Sequence, residues 1–135
     1  MLQYPYYNPG NLERVFDKSG KELMFDGQKQ SLEGSQFRCF INIECGYRAL
    51  IKQILFMYAR GLKTIAEIIG TFAPIEDNNY TEQYIVNVSG WMNISRDVSL
   101  VITKELLINF AASISRQENG QLANLSEIEA GFDLL

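Results

Sequence analysis

Apolar residues recur at helical spacing through the C-terminal two thirds of the chain. The first such segment, residues 44–60, has apolar side chains at positions 47, 50, 51, 54, 55 and 58, and we expect it to end at Gly61. Four further helices are predicted from capping residues and apolar spacing. They cover residues 64–72, 81–92 and 103–117, and a short segment that begins at residue 126.

The N-terminal part of the chain has a different pattern. Residues 1–20 are predicted to be irregular, and residues 22–25 and 36–40 are short candidate strands separated by turns at Gly27 and Gly34. The two strands predict a small β hairpin or ribbon. We therefore expect a mostly helical α+β fold in which all 135 residues form a single domain.

Composition removes several classes of function. The net charge of −4 argues against nucleic acid as a partner, because binding phosphate backbones needs a basic surface. The chain has no histidine, which excludes Ser-His-Asp and Cys-His catalysis in their usual forms and removes a common zinc ligand. Cys39 and Cys45 lack CxxC spacing, which favours two free thiols and leaves a disulfide open. We expect no metal and no cofactor, so carboxylates, amides and tyrosines must carry any chemistry.

No targeting or membrane-spanning segment is predicted. The apolar stretch at residues 49–59 is interrupted by Lys52 and Gln53, which leaves it too short to cross a bilayer. Residues 1–5 lack the basic start and apolar core of a secretory signal. We therefore expect synthesis in the cytoplasm without a signal peptide.

Glu118 differs from the other acidic residues in its place at the end of the predicted fourth helix. Gly120 follows two residues later and should stop that helix. The partial negative charge of a helix C-terminus disfavours a carboxylate, which should raise the pKa of an acid there. Because a carboxyl group that keeps its proton near neutral pH can act as a general acid, Glu118 is the candidate proton donor. The alternative is a solvated surface glutamate.

Six motifs, in order along nearly the whole chain, resemble those of a phage and prophage family often labelled virion structural protein. NPGNL at residues 8–12 resembles the family's NNPGNIR, and the segment 37–49 resembles F..F.S...GYRA. GLKTI followed by FAP resembles YGLNTIEKII..WAP, and DNNYTEQYI resembles ENNTESYI. RQENG resembles RHENG or RVENG, and residues 126–135 resemble SD..I..GF.L.

The chain departs from the family pattern at three places. Tyr6 and Tyr7 stand where the family has asparagines preceded by an arginine, and Glu13 replaces an arginine. Phe72 replaces a tryptophan. The first two changes lie where a substrate would be held.

The resemblance implies a lysozyme-like domain that processes peptidoglycan, with the β element and the glutamate helix in permuted order. The protein would then be a muramidase or a lytic transglycosylase, with Glu118 protonating the bridging oxygen of the glycan strand. It would act at the cell wall or in a virion, with a virion or secretion machine as its partner. The alternative is a non-catalytic module that binds cell wall or packs within a virion, which the changed N-terminal motif favours.

Five further residues are candidates for substrate binding at the same site. Asn8, Asn11 and Asn119 could hydrogen-bond to sugar groups, and Tyr47 and Tyr84 could stack on sugar rings. The alternatives are that the asparagines satisfy backbone groups in turns or caps, and that the tyrosines belong to the core.

A second carboxylate would serve glycoside cleavage by stabilising the sugar cation or by activating water. Glu44 and Asp26 are the main candidates, and Asp77 is a further one. Glu44 would otherwise be favourable simply as an anion at a helix N-terminus, and Asp26 would otherwise support a turn. A single glutamate would suffice if a sugar group or water completed the reaction.

Overall fold

A computed structural model describes residues 6–77 and 80–135. In these ranges the chain forms five α-helices, one short 3-10 helix and two small antiparallel sheets, and about half of the chain is helical, so the prediction of an α+β fold is confirmed. The strands are β1 (Val15–Phe16), β2 (Glu22–Leu23), β3 (Gln28–Lys29) and β4 (Cys39–Phe40). The helices are α1 (Ile43–Ala59), α2 (Ile65–Phe72), α3 (Thr81–Met92), α4 (Lys104–Asn119) and α5 (Leu125–Asp133), and the 3-10 helix covers Ile75–Asp77.

The β region consists of two separate ribbons, so the prediction that the two strands form one small hairpin or ribbon was wrong. β1 pairs with β2 and β3 pairs with β4, which places the two predicted strands in different ribbons. β1 lies in the part of the chain that was predicted to be irregular. The turn after β1 is closed by a side chain, because Asp17 accepts hydrogen bonds from the backbone N–H groups of Ser19 and Lys21 while Gly20 takes φ +88°.

The N-termini of α2 and α4 follow the predicted capping chemistry, whereas Tyr80 before α3 forms no side-chain cap. Thr64 and Thr103 each accept a hydrogen bond from the backbone N–H three residues later, as predicted for α2 and α4. The cap of α5 is Asn124, which accepts from the N–H of Ser126 at 3.0 Å. α5 therefore begins one residue earlier than predicted.

Helix α1 lies at the centre of the hydrophobic core and packs against α2, α4, α5 and β4. Each large aliphatic side chain buried there contributes roughly 1.5–3 kcal/mol to folding. Cys39 and Cys45 are both buried and free, as expected. The largest core side chains of α1 and α4 are Tyr47, Leu50, Ile51, Ile54, Phe110 and Ile114.

Helix α1 is also the longest helix, with 17 residues. In the described ranges no helix combines the length and the apolar character that are needed to cross a membrane.

The NPGNL loop (residues 8–12) lies directly on α1, and two glycines permit this close approach. A Cβ atom at Gly46 would lie 2.0 Å from the carbonyl oxygen of Tyr7, and one at Gly10 would lie 2.8 Å from Cδ1 of Leu50. Neither position has room for a side chain. The close contact fixes the loop against the core and brings it to the C-terminal end of α4.

Candidate functional site

An open cleft of about 440 Å³ lies between the N-terminal β region and the helices. One wall consists of the NPGNL loop, the residues that follow it and the segment 36–38, and the other consists of parts of α1 and the end of α2. Glu118 is the residue that α4 contributes to the cleft. A volume of this order is typical of sites for small ligands.

Glu118 lies in the last turn of α4. The helix continues to Asn119, two residues beyond the predicted end, and stops at Gly120 with φ +72°. The carboxyl group of Glu118 accepts two hydrogen bonds, one at Oε1 from Nδ2 of Asn11 at 2.6 Å and one at Oε2 from the hydroxyl of Tyr84 at 2.8 Å. Three segments that are distant in sequence therefore meet at one carboxyl group.

Burial raises the pKa of Glu118 above its ordinary value, because desolvation disfavours the anion. The hydrogen bonds from Tyr84 and Asn11 favour the anion and act in the opposite direction. Among the residues described by the structure, no lysine or arginine forms an ion pair with Glu118. The predicted direction of the pKa shift is confirmed, but its main cause is burial and not the charge of the helix end.

Asn11 holds the carboxyl group of Glu118 from a left-handed backbone conformation, with φ +50°, which asparagine tolerates better than most residues. Its N–H donates to the carbonyl oxygen of Asn8 at 3.0 Å and closes the turn. Its side-chain Oδ1 is buried and has no hydrogen-bond partner in the described part of the chain. Rotation of the amide would present this oxygen to a protonated Glu118, so Asn11 is suited to both ionisation states of the acid.

Asn8 supports the loop backbone and does not line the cleft. It is fully buried, and its Nδ2 donates to the carbonyl oxygens of Leu12 at 2.9 Å and Arg38 at 3.0 Å. Its Oδ1 accepts from the N–H of Leu12 at 2.8 Å. Asn8 is therefore not available to a sugar, and the alternative role in the turn describes it correctly.

Asn119 and Tyr47 fasten α4 to its neighbours, and neither lines the cleft. Nδ2 of Asn119 donates to the carbonyl oxygens of Pro9 at 3.0 Å and Ser115 at 2.9 Å. The hydroxyl of Tyr47 shares a hydrogen bond of 3.0 Å with Oγ of Ser115. The rings of Tyr47 and Tyr84 are buried, so the predicted stacking of these two tyrosines on sugar is not possible in this arrangement.

Glu44 and Asp26, the main candidates for a second carboxylate, do not lie in the cleft. Glu44 occupies the first turn of α1, where an anion is favourable, and Asp26 is an exposed turn residue. The side chain of Asp77 is outside the described part of the structure. Glu13 is an acidic residue that lines the cleft together with Glu118. It lies where the chain departs from the family pattern, but no catalytic role was predicted for it.

The cleft offers a proton, a second carboxyl group and two aromatic side chains. Glu118 can supply the proton, and Glu13 brings a second, exposed carboxyl group. Phe37 and Phe72 line the cleft and could contact the apolar face of a ligand. In residues 6–77 and 80–135 no group of three or more Cys, Asp or Glu side chains is placed to bind a metal ion.

Comparison with known proteins gives no family assignment, since no protein-family model matches the chain and no curated protein is significantly similar to it. Its function is therefore inferred from the chemistry of the cleft.

Removing the hydroxyl of Tyr84 should raise the pKa of Glu118 further. Burial and the charge of Glu118 raise the pKa of Tyr84 well above 10, so its hydroxyl remains a donor while Glu118 titrates. In Tyr84→Phe the edge-on contact with Phe72, at a centroid distance of 6.4 Å, is preserved, but the bond that favours the anion is lost. We expect the NMR titration of the Glu118 carboxyl carbon to move to higher pH.

The matched control is Tyr58→Phe. It removes a half-buried hydroxyl that donates to the carbonyl oxygen of Leu100 and not to Glu118. This control should leave the Glu118 titration where it is in the wild type. A Glu118 midpoint that is unchanged or lower in Tyr84→Phe would contradict the prediction.

The raised pKa of Glu118 also makes stability depend on pH. In the unfolded chain the group titrates near 4.5, whereas the folded protein holds the proton to higher pH. The contribution of Glu118 to the free energy of unfolding therefore falls as pH rises from about 4.5 through the folded-state pKa. Glu118→Gln removes this loss, so its melting temperature should increase relative to that of the wild type as pH rises from about 4.5 through the folded-state pKa of Glu118. A melting-temperature difference between Glu118→Gln and the wild type that does not change with pH would contradict a raised pKa for Glu118.

Proposed function

We propose that the protein cleaves the glycan strand of peptidoglycan, as a muramidase or lytic transglycosylase, with Glu118 as the general acid. The observation that carries the proposal is a half-buried carboxyl group with a raised pKa on the wall of an open cleft. Buried carboxyl groups of this kind are typical proton donors in glycosidases. The choice of peptidoglycan rests on the resemblance of the motif order to the phage and prophage family.

In the proposed reaction the carboxyl proton of Glu118 passes to the oxygen that bridges two sugars. The bond between that oxygen and the anomeric carbon breaks, its electron pair stays on the oxygen, and positive charge develops on the sugar. The hydrogen bonds from Asn11 and Tyr84 then stabilise the carboxylate that remains. These two bonds lower the pKa of the resting acid, but they strengthen as its proton leaves.

The place of action that follows from this proposal is the cell wall, which the protein would reach in a virion or through a secretion machine. The proposed ligand is the glycan strand itself, and no cofactor takes part in the proposed step.

The proposal is tested by incubating the protein with purified, insoluble peptidoglycan and analysing the supernatant by mass spectrometry. We expect soluble fragments whose new ends are either reducing sugars, from a muramidase, or 1,6-anhydro sugars, from a lytic transglycosylase. Absence of both at high protein concentration would overturn the enzymatic proposal.

The second candidate is a non-catalytic module that binds cell wall or packs within a virion. It is favoured by one observation, that both oxygens of Glu118 already have hydrogen-bond partners. These bonds join α3, α4 and the NPGNL loop, which is the role expected of a carboxyl group that serves only to stabilise the fold. Co-sedimentation with peptidoglycan without release of fragments would support this candidate.

A further inference from the structure

Glu13 lines the same cleft as Glu118 and follows Asn11 by two residues. The residues of this segment that line the cleft are Gly10, Asn11, Leu12, Glu13 and Val15, and of these Leu12 is buried, with 5% of its surface exposed. The segment that holds the carboxyl group of Glu118 therefore also brings a second carboxyl group to the cleft.

The backbone around Glu13 is held by the opposite segment of the chain. Glu13 forms an isolated antiparallel bridge with Phe37, and the N–H of Arg14 donates to the carbonyl oxygen of Gln36 at 2.9 Å. These contacts fix the position from which the side chain of Glu13 enters the cleft.

The two acids have opposite surroundings. Glu118 is half-buried and accepts two short hydrogen bonds, whereas Glu13 is exposed and accepts one long bond, of 3.4 Å, from Nε2 of Gln36. The neighbouring Arg14 is paired with Glu22 at 2.9 Å, and Glu13 forms no ion pair within the described residues. Two carboxyl groups in different environments at one site can take the separate roles of acid and base.

We propose that Glu13 is the general base of this cleft and activates the water molecule that completes glycan cleavage. The inference rests on the proposed function. Of its two forms it favours hydrolysis, as by a muramidase, over the lytic transglycosylase reaction. Because Glu13 is exposed in an open cleft, water can reach its carboxylate.

In the proposed reaction each of the two acids takes part in the transfer of one proton. Glu118 gives its proton to the bridging oxygen as the bond to the anomeric carbon breaks. The oxygen of water forms a new bond to that carbon, and one water proton passes to Glu13. Glu118 ends ionised and Glu13 ends protonated, and exchange with solvent restores both. Water attacks from the face opposite the leaving group, so the configuration at the anomeric carbon is inverted.

The test compares Glu13→Gln with Glu33→Gln, which removes the same charge from an exposed residue that does not line the cleft. Both variants should keep the wild-type melting temperature, because both positions are exposed. We expect the turnover rate on peptidoglycan to fall at least about 100-fold in Glu13→Gln and to be unchanged in Glu33→Gln. The acidic limb of the pH–rate profile, which reports ionisation of the base, should disappear in Glu13→Gln while the alkaline limb remains.

The stereochemistry of the product provides an independent measurement. Proton NMR of a soluble glycan fragment during the first minutes of digestion should show the inverted anomer. A retained anomer, or a 1,6-anhydro product, would overturn the role of Glu13 in activating water and leave glycan cleavage by Glu118 in place. The same conclusion would follow from a Glu13→Gln variant with wild-type rate and pH profile. A wild-type protein that releases no fragments would overturn the proposed function together with this inference.

Discussion

Replacing Glu118 with glutamine should lower the rate of fragment release from peptidoglycan by at least about 100-fold and by up to about 10,000-fold. Glutamine has the shape of glutamate and can hydrogen-bond to Asn11 and Tyr84, so the end of α4 should keep its structure. It has no acidic proton to give to a bridging oxygen. The loss should therefore appear in kcat, while binding to insoluble peptidoglycan remains as in the wild type.

A matched control lies on the same helix. Glu105→Gln removes the same charge from an exposed position in the first turn of α4, far along the helix from the cleft, and should retain full activity. Glu118→Gln with activity within about threefold of the wild type would show that the general-acid assignment is wrong, since removal of such a group costs at least about 100-fold.

Placing a methyl group at position 46 should destabilise the fold by roughly 3 kcal/mol or more, which is at the upper end of the cost of overpacking a core. The Cβ of Gly46→Ala would lie 2.0 Å from the carbonyl oxygen of Tyr7, which is backbone and cannot rotate away. Alanine gains only about 1 kcal/mol over glycine in helix propensity, so the clash outweighs this gain and the substitution is destabilising. Displacement of the NPGNL loop would also move Asn11 from Glu118 and reduce activity. Urea unfolding measures the first effect and fragment release the second.

Gly70→Ala provides the control for this prediction. Gly70 lies inside α2, and a Cβ atom there would meet nothing within 4 Å. The same substitution should therefore stabilise the protein by up to about 1 kcal/mol. Equal stabilities for Gly46→Ala and Gly70→Ala would show that the loop does not depend on close contact with α1.

The helices could be predicted because their signals are local. Threonine caps at positions 64 and 103 and the glycine at position 120 act within one turn of the residues that they terminate. The ribbons could not be predicted in the same way, because each strand has only two residues and shows no alternation to follow. The pairing of β1 with β2 depends on the Asp17 turn, whose side-chain hydrogen bonds were not read from the sequence.

Part of the site was also accessible from the sequence. The predicted end of α4 correctly located Glu118 at a helix terminus. The rise in its pKa, however, is caused by burial, which depends on how α3 and the NPGNL loop cover the carboxyl group. The same tertiary packing decides that Asn8 and Tyr47 are buried and that Asn11 reaches the acid. No catalytic role was predicted for Glu13, because residues 11–15 lack an alternating pattern and its place in the cleft depends on the bridge to Phe37.

The hydrogen bond between Asn11 and Glu118 joins residues that are 107 positions apart. A growing chain on the ribosome can form the β ribbons and α1 long before the last turn of α4 is synthesised. Contacts of such large sequence separation incur their loop-closure entropy before any stabilisation is gained, so they tend to form late in folding. The proton donor is thus assembled only once the NPGNL loop and the last turn of α4 have met, and partly folded chains lack it.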